Sequence, residues 1–330
     1  MVFPLLPPSP PPYIAQVEVP FSDLQPPVDR AEADRLLQAG FEQRDRGSLE
    51  KAIDNWLEAL QIYDRLVDLE ALTVVYTALG NAYADIERYD LAEVALRRAL
   101  GLAREVEDLP RRLIVLDRLG EVLLRRSAVN PAQNLFAEAL ELSRQVDNQE
   151  GEAIALGNLG LVAALSGDLA EAIKHYENAI ELYQGIDDPI PETTLLNRLG
   201  AVYWRVGDYD NTIGAFGAAL RQARVSIDLP NYFRALDGLI EAHATVGRYA
   251  RALELIEERV EVAREAGVPI EEIRALRMLG QLYGTAGNLP QARRFYEGAI
   301  ALARTAGEGQ EELRLRDELA ELLYDFLLTD

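Results

Sequence analysis

A glycine returns every 40 residues along this chain of 330: Gly40, Gly80, Gly120, Gly160, Gly200 and Gly280, with Ile240 alone breaking the series. The same apolar frame travels with it. One residue earlier stand Ala39, Leu79, Leu119, Leu159, Leu199, Leu239 and Leu279. Twelve later comes alanine, except for Thr212 in the fifth copy, and sixteen later comes Trp56, Leu96, Phe136, Tyr176, Phe216, Ile256 or Tyr296. Nineteen later is alanine again, except for Arg259 in the sixth. A fixed period of this size means stacked copies of one small unit, each exposing an apolar face that only its neighbour covers.

The third copy shows why each unit reads as two helices. Leu116, Leu119, Gly120 and Leu123 fall at i, i+3, i+4 and i+7, the stripe of an amphipathic helix. A break follows at Gly47, Gly167, Gly207, Gly247 or Gly287, with Asp168, Asp208 or Asn288 next, which is helix-stop and helix-start chemistry in a tight turn. Pro110, Pro191, Pro230 and Pro269 fall where the next first helix begins, and a first turn tolerates proline. Glycine facing alanine on the partner helix lets the two backbones approach, and the large residue fills the seam. Two departures predict local irregularity. Ile240 and Arg259 are expected to hold the helices of the sixth unit further apart, and Gly214 and Gly217 weaken the second helix of the fifth, giving a hinge near residues 210–260.

This order of small and aromatic residues resembles the tetratricopeptide repeat family over about residues 31–306. The family's usual unit is about 34 residues. The longer unit is similar to the branch that includes kinesin light chains, Pins spindle-orientation adaptors and bacterial quorum-sensing Rap regulators. The resemblance implies an all-α fold: a right-handed α-solenoid of seven antiparallel helix pairs, with the first helices lining a concave groove for a peptide or partner helix.

The ends depart from the repeat. Segment 1–30 is proline-rich and expected to be extended, with Pro7-Pro8-Ser9-Pro10-Pro11-Pro12 as polyproline II, a stiff leader or a ligand for an SH3-type domain. Tyr13-Ile14-Ala15-Gln16 looks like the end of a trimmed export signal, so the compartment stays open: cytoplasmic as the sequence stands, periplasmic or lumenal otherwise. Residues 307–330 hold one more amphipathic helix, with Leu315, Leu319, Leu322, Leu323 and Phe326 as its stripe. It reads as the lid a solenoid needs, and Leu322, Phe326 and Leu327 offer self-association as the alternative.

Composition removes several function classes. A net charge of −22 opposes nucleic acid and anionic lipid as partners and keeps the chain soluble. With no cysteine there is no disulfide, thiolate metal site or cysteine nucleophile, and no apolar run is long enough for membrane insertion. No phosphate loop, nucleophile elbow, zinc helix or calcium loop is written in the sequence, so neither an enzyme nor a cofactor is expected. Of two histidines, His243 takes a slot held elsewhere by Tyr83, Tyr203 and Tyr283 and reads as helix packing, while His175 reads as a surface residue. Acidic spacing marks no metal cage, although loose binding of divalent ions to the acidic surface stays open.

If Leu116, Leu119, Gly120 and Leu123 face the core, then Ile114, Asp117, Arg118, Glu121, Leu124 and Arg125 lie opposite. Through the family resemblance that face is the groove. The first two units offer Asp34, Gln38, Arg44, Asp45, Thr77, Asn81 and Asp85, a mixed acidic lining. The third gives Arg118 and Arg125, and the fourth Asn158 among Ile154, Leu161 and Leu165. Asn197, Arg198, Trp204 and Arg205 follow in the fifth, then Arg234, Asp237, Glu241, Arg274, Arg277 and Gln281. Arginine grips carboxylates through paired hydrogen bonds, asparagine bonds peptide backbone, and Trp204 supplies an apolar anchor. The expected partner is therefore a protein or peptide with an acidic segment or C-terminal carboxylate, and the alternative use of these arginines is pairing with acids of neighbouring units. The expected function is a scaffold or adaptor, including an assembly factor for a larger complex. A peptide-sensing regulator and a metal-handling assembly chaperone are the alternatives.

Overall fold

A computed structural model describes residues 29–186 and 189–329, with side chains over 29–186 and 190–324. The polyproline and export-signal readings, and Phe326 and Leu327, lie outside these limits. Fifteen helices and no strand occur among the described residues. They form seven consecutive pairs: α1 (Arg30–Asp45) with α2 (Leu49–Leu66), α3 (Leu69–Asp85) with α4 (Tyr89–Glu105), α5 (Leu109–Arg125) with α6 (Val129–Gln145), and α7 (Gln149–Ser166) with α8 (Leu169–Tyr183). Then come α9 (Pro189–Val206) with α10 (Tyr209–Ser226), α11 (Leu229–Thr245) with α12 (Tyr249–Glu265), and α13 (Pro269–Thr285) with α14 (Leu289–Ala306). A fifteenth helix, α15 (Gly309–Thr329), follows alone. The chain divides into two compact units, one ending at Val162 and the other beginning at Ala163.

The turns obey a shorter rule than the sequence period suggests. From 47 to 167, and again from 207 to 307, one residue in every 20 takes the left-handed conformation. Gly47, Gly167, Gly207, Gly247, Gly267, Gly287 and Gly307 do so, and so do Val67, Glu87, Glu107, Ser127, Asp147 and Ile227. The next residue often caps the following helix: the Asp68 carboxylate accepts from the Ala71 amide, Asp108 from Arg111, Asp168 from Glu171, Asp208 from Asn211, Asp228 from Asn231, and the Asn288 side chain from Gln291. Each such cap satisfies an amide the helix leaves open. Pro110, Pro230 and Pro269 lie in first turns.

In the first unit the periodic glycine meets the large residue of the second helix in its own pair. A methyl group at Gly40 would overlap the Trp56 ring, at Gly80 the Leu96 side chain and at Gly120 the Phe136 ring. Trp56, Leu96 and Phe136 are all fully buried. Leu116, Leu119 and Leu123 point into the same core, while Ile114 opposite is 52% exposed.

The second unit repeats this contact at Gly200 against Phe216 and Gly280 against Tyr296. Its sixth pair corrects one expectation. Ile240 is buried, and the close approach moves two residues back to Gly238, whose missing side chain makes room for Phe216 of the preceding pair. Phe216 thus lies between two glycines, Gly200 and Gly238. Nor does Arg259 simply prop its helices apart. It is 1% exposed, donates to the Phe233 carbonyl at 3.1 Å, and pairs with Asp237 of α11 and Glu271 of α13. Its guanidinium also lies 5.1 Å from the Phe233 ring centre. An arginine where close packing wants alanine becomes a tie among three successive helices. At the C-terminal end Leu315 is fully buried and Leu322 packs over Gly284, so α15 covers the last pair as a cap does. His175 is half-buried rather than at the surface, with Nε2 3.3 Å from Glu171.

A second ladder pins helix ends. Arginine recurs in the last turn of second helices at Arg104, Arg144, Arg224, Arg264 and Arg304. Where the residue eight later is glutamate, the two pair directly: Arg144–Glu152 at 2.8 Å, Arg264–Glu272 at 2.8 Å and Arg304–Glu312 at 3.0 Å. Position 112 is arginine instead, so Arg104 and Arg112 both grip Glu138, at 2.8 and 2.6 Å. Position 232 is tyrosine, and Arg224 and the Tyr232 hydroxyl both bond Glu258. Basic charge at a helix C-terminus is also favoured by the helix dipole.

Two outcomes follow from these local geometries. Ile227 is 81% exposed, β-branched and left-handed, a conformation costly for such a side chain. Ile227→Gly should raise stability by up to about 1 kcal/mol in urea denaturation. Burial alone would raise the Glu138 carboxyl, but hydrogen bonds and charge from Arg104 and Arg112 outweigh it and hold it below the usual carboxylate range. Its contribution is present at neutral pH and lost as pH falls through the lowered value. Glu138→Gln should therefore melt below wild type at pH 7, with the gap closing as pH drops below about 4.

Candidate functional site

Opposite the buried stripe, the first helices present one side-chain row per pair, and adjacent rows meet with a one-residue offset. In the first unit Asn158 of α7 donates to Asp117 of α5, 41 positions earlier. In the second unit Arg205 of α9 donates to the Ala164 carbonyl of α7 at 2.7 Å, again 41 apart. Arg277 of α13 bonds Glu318 of α15 at 2.6 and 2.8 Å, with the same separation. Side chains at these slots therefore stitch neighbouring first helices together, and those farther out are left for solvent.

That division sorts the sequence candidates in the first unit. Asn158 is 7% exposed and engaged with Asp117. Asn81 is half-buried, and its Oδ1 is buried without a hydrogen-bond partner. Arg118 pairs with Glu121 at 3.0 Å on its own helix, whereas Arg125 is exposed with no carboxylate partner among the described residues. Asp34, read as groove lining, accepts from the Tyr63 hydroxyl at 2.7 Å and pairs with Arg30 at 3.2 Å. Ile114 and Ile154 are exposed at the equivalent slot of α5 and α7, an apolar strip beside the polar row.

In the second unit Asn197 is 1% exposed and donates to the Asn231 carbonyl at 3.0 Å and its side-chain oxygen at 3.2 Å. Asn231 in turn donates to Thr194 at 3.0 Å and Asp228 at 2.6 Å, so a polar seam joins α9 to α11. Arg274 shares Glu271 with the buried Arg259, which draws it into the three-helix tie. The Asp237 carboxyl in this tie is raised by burial and by Glu271, against the pull of Arg259 and Arg274. Arg277 is held by Glu318 and, at 3.7 Å, Glu311. Trp204 is half-buried and packs edge-on to Tyr209, ring centres 5.2 Å apart. Among the described residues Arg198 and Arg234 have no carboxylate partner, Arg198 half-buried and Arg234 exposed, on helices α9 and α11 that lie against each other. Arg198 acts on Tyr176, whose hydroxyl burial pushes up to about 12 against the arginine's charge.

The sequence reading did not single out Asn231, Glu271 or Glu318, the partners that occupy its candidates. Glu318 lies 41 positions after Arg277, the separation that also joins Asp117 to Asn158, whereas Asn231 lies 34 after Asn197 and Glu271 lies 12 after Arg259. Among the described residues no three His, Asp or Glu side chains gather as a metal site requires, and no helix is long and apolar enough to cross a membrane.

Family models described as tetratricopeptide repeat match residues 74–106, 111–185, 192–265 and 273–306. The chain belongs to the tetratricopeptide repeat family. No curated protein matches it in sequence. Among solved structures it is similar to the apo form of RapI, with TM-score 0.63 and 16% identity over 84% of this chain and 99% of that one. It is similar also to the signal-transduction ATPase with a tetratricopeptide repeat sensor from Pyrococcus horikoshii, with TM-score 0.68 and 17% identity, covering 89% of this chain and 43% of that one. A third is the Rap conjugation gene regulator of plasmid pLS20 in complex with the Phr* peptide, with TM-score 0.51 and 17% identity over 84% and 75% of the two chains. At these identities the likeness is one of fold.

Because Arg277 clamps two glutamates of the terminal helix, Arg277→Gln should loosen α15 against α13. Amide hydrogen exchange across 311–324 should quicken by about tenfold while exchange in α11 is unchanged.

Proposed function

We propose that this tetratricopeptide repeat protein is a non-enzymatic interaction scaffold whose first helices receive an acidic segment or C-terminal carboxylate of a partner protein. One observation carries the reading. In a chain with 22 excess negative charges, most described arginines pair with carboxylates; of those on first helices, Arg205 is held by a backbone carbonyl, and Arg125 in the first unit and Arg198 and Arg234 in the second have no carboxylate partner among the described residues. All three stand on first helices, on the face away from the buried stripe. An unmatched guanidinium offers a fork that fits a carboxylate. Trp204 adds a half-buried ring of the kind that anchors a partner side chain, and Ile114 and Ile154 add apolar contact in the first unit.

A second reading, a peptide-sensing regulator, is favoured by the fold shared with a Rap regulator whose structure holds a peptide. It differs in consequence rather than in chemistry. A scaffold keeps its conformation on binding, whereas a sensor changes it.

Fluorescence anisotropy with a labelled glutamate-rich peptide bearing a free C-terminus tests the proposal. Arg198→Glu with Arg234→Glu should weaken binding by at least about tenfold, since a hydrogen-bonded charge contributes about 1.5–3 kcal/mol. Arg293→Glu, on a second helix, should leave it unchanged. Equal affinity in wild type and the double variant, with the fold intact by circular dichroism, would remove the first-helix face as the site. Small-angle scattering with and without peptide then separates scaffold from sensor.

A further inference from the structure

A cleft of about 350 Å³ opens in the second unit between α10 and α12, the second helices of the fifth and sixth pairs, with α11 behind them. Its volume is within the range of small-molecule sites. Two sequence departures make it. Gly217 stands where other second helices carry Leu57, Arg97, Ala137, Glu177, Glu257 or Glu297. A Cβ built there meets only the Arg221 guanidinium, at 3.6 Å, and one built at Gly214 meets nothing within 4 Å. On α11, His243 takes the slot held by the bulkier Tyr83, Tyr203 and Tyr283 in three other units and lines the same space. The glycines that read as a hinge in the sequence thus stand in an unbroken helix and leave room beside it.

The lining is amphipathic in a particular way. Leu220, Leu239 and Leu255 give it an apolar wall. Arg221, Arg224 and Arg251 bring three positive charges, against the single carboxylate of Glu258, which Arg224 and the Tyr232 hydroxyl already hold. Among the described residues Arg251 pairs only with Glu254 on its own helix, at 2.6 Å, and Arg221 is exposed without an ion pair. His243 is 8% exposed, and its Nδ1 is buried with no hydrogen-bond partner. Burial lowers its pKa, with Arg248 and Arg251 adding to the effect, so it is neutral at pH 7 and carries one donor and one acceptor.

We propose that this cleft binds a small organic anion, a carboxylate carried on an apolar chain, with Arg221 and Arg251 receiving the carboxylate and Leu220, Leu239 and Leu255 the chain. The site opens between two second helices and stands whether or not the first-helix face binds peptide.

Titration calorimetry of the full chain with octanoate tests it, with octylammonium as the same chain carrying the opposite charge and inorganic phosphate as an anion without a chain. Octanoate should bind at least about tenfold more tightly than either control. Gly217→Leu places in the cleft the side chain that the first pair carries at Leu57, and it favours helix over glycine. It should abolish octanoate binding without lowering the melting temperature, and Arg221→Gln should weaken binding about tenfold. Absence of octanoate binding, binding unaltered in Gly217→Leu, or phosphate bound as tightly as octanoate would each overturn the proposal.

Discussion

Close approach between a glycine on one helix and a large buried side chain on another is the contact from which the rest of this fold follows. At Gly120 a single methyl group would collide with Phe136, and the same holds at Gly40 against Trp56 and Gly80 against Leu96. Interiors this dense do not stretch to admit an added carbon. The contact fixes how near the two helices of a pair lie, and so which slots meet the next pair and which are left outside. The sixth pair shows how firm the requirement is. With isoleucine at the usual slot, Gly238 supplies the space from two residues away, and Phe216 fills it from the preceding pair.

Electrostatics then decide what the outer slots are free to do. The arginines at 104, 144, 224, 264 and 304 tie the ends of five second helices by direct pairing or through a shared glutamate. Arg259 extends the principle inward, because a buried guanidinium must be matched, and Asp237, Glu271 and the Phe233 carbonyl match it. The cations that matter for recognition are those this network does not reach.

Most of the architecture was legible in the sequence, because packing repeats with the chain: helix pairs, the buried leucine stripe, the aromatic seam and the glycine turns were all written at fixed intervals. The left-handed turns at Val67, Glu87, Glu107, Ser127, Asp147 and Ile227 were not. There the flanking helices impose the conformation, and the residue carries no mark of it. The candidate site was legible only as a row. Arg118, Arg274 and Arg277 looked the same as Arg125, Arg198 and Arg234, because what separates them is a carboxylate one turn or 41 residues away whose reach depends on helix spacing. Asn158 and Asn197 were likewise readable as groove residues, yet their slots fall at the seam between neighbouring first helices, where an amide bonds protein.

The short links that hold the left-handed residues have a further consequence. Since all but one of the links between successive helices are only two or three residues long, the array has little slack in which to absorb an insertion. One extra residue in a helix would rotate everything after it by about 100° and turn the buried stripe toward water. A chain of this kind can be lengthened or shortened only in whole modules, and its grammar is that of duplication, with novelty confined to substitutions within a fixed metre.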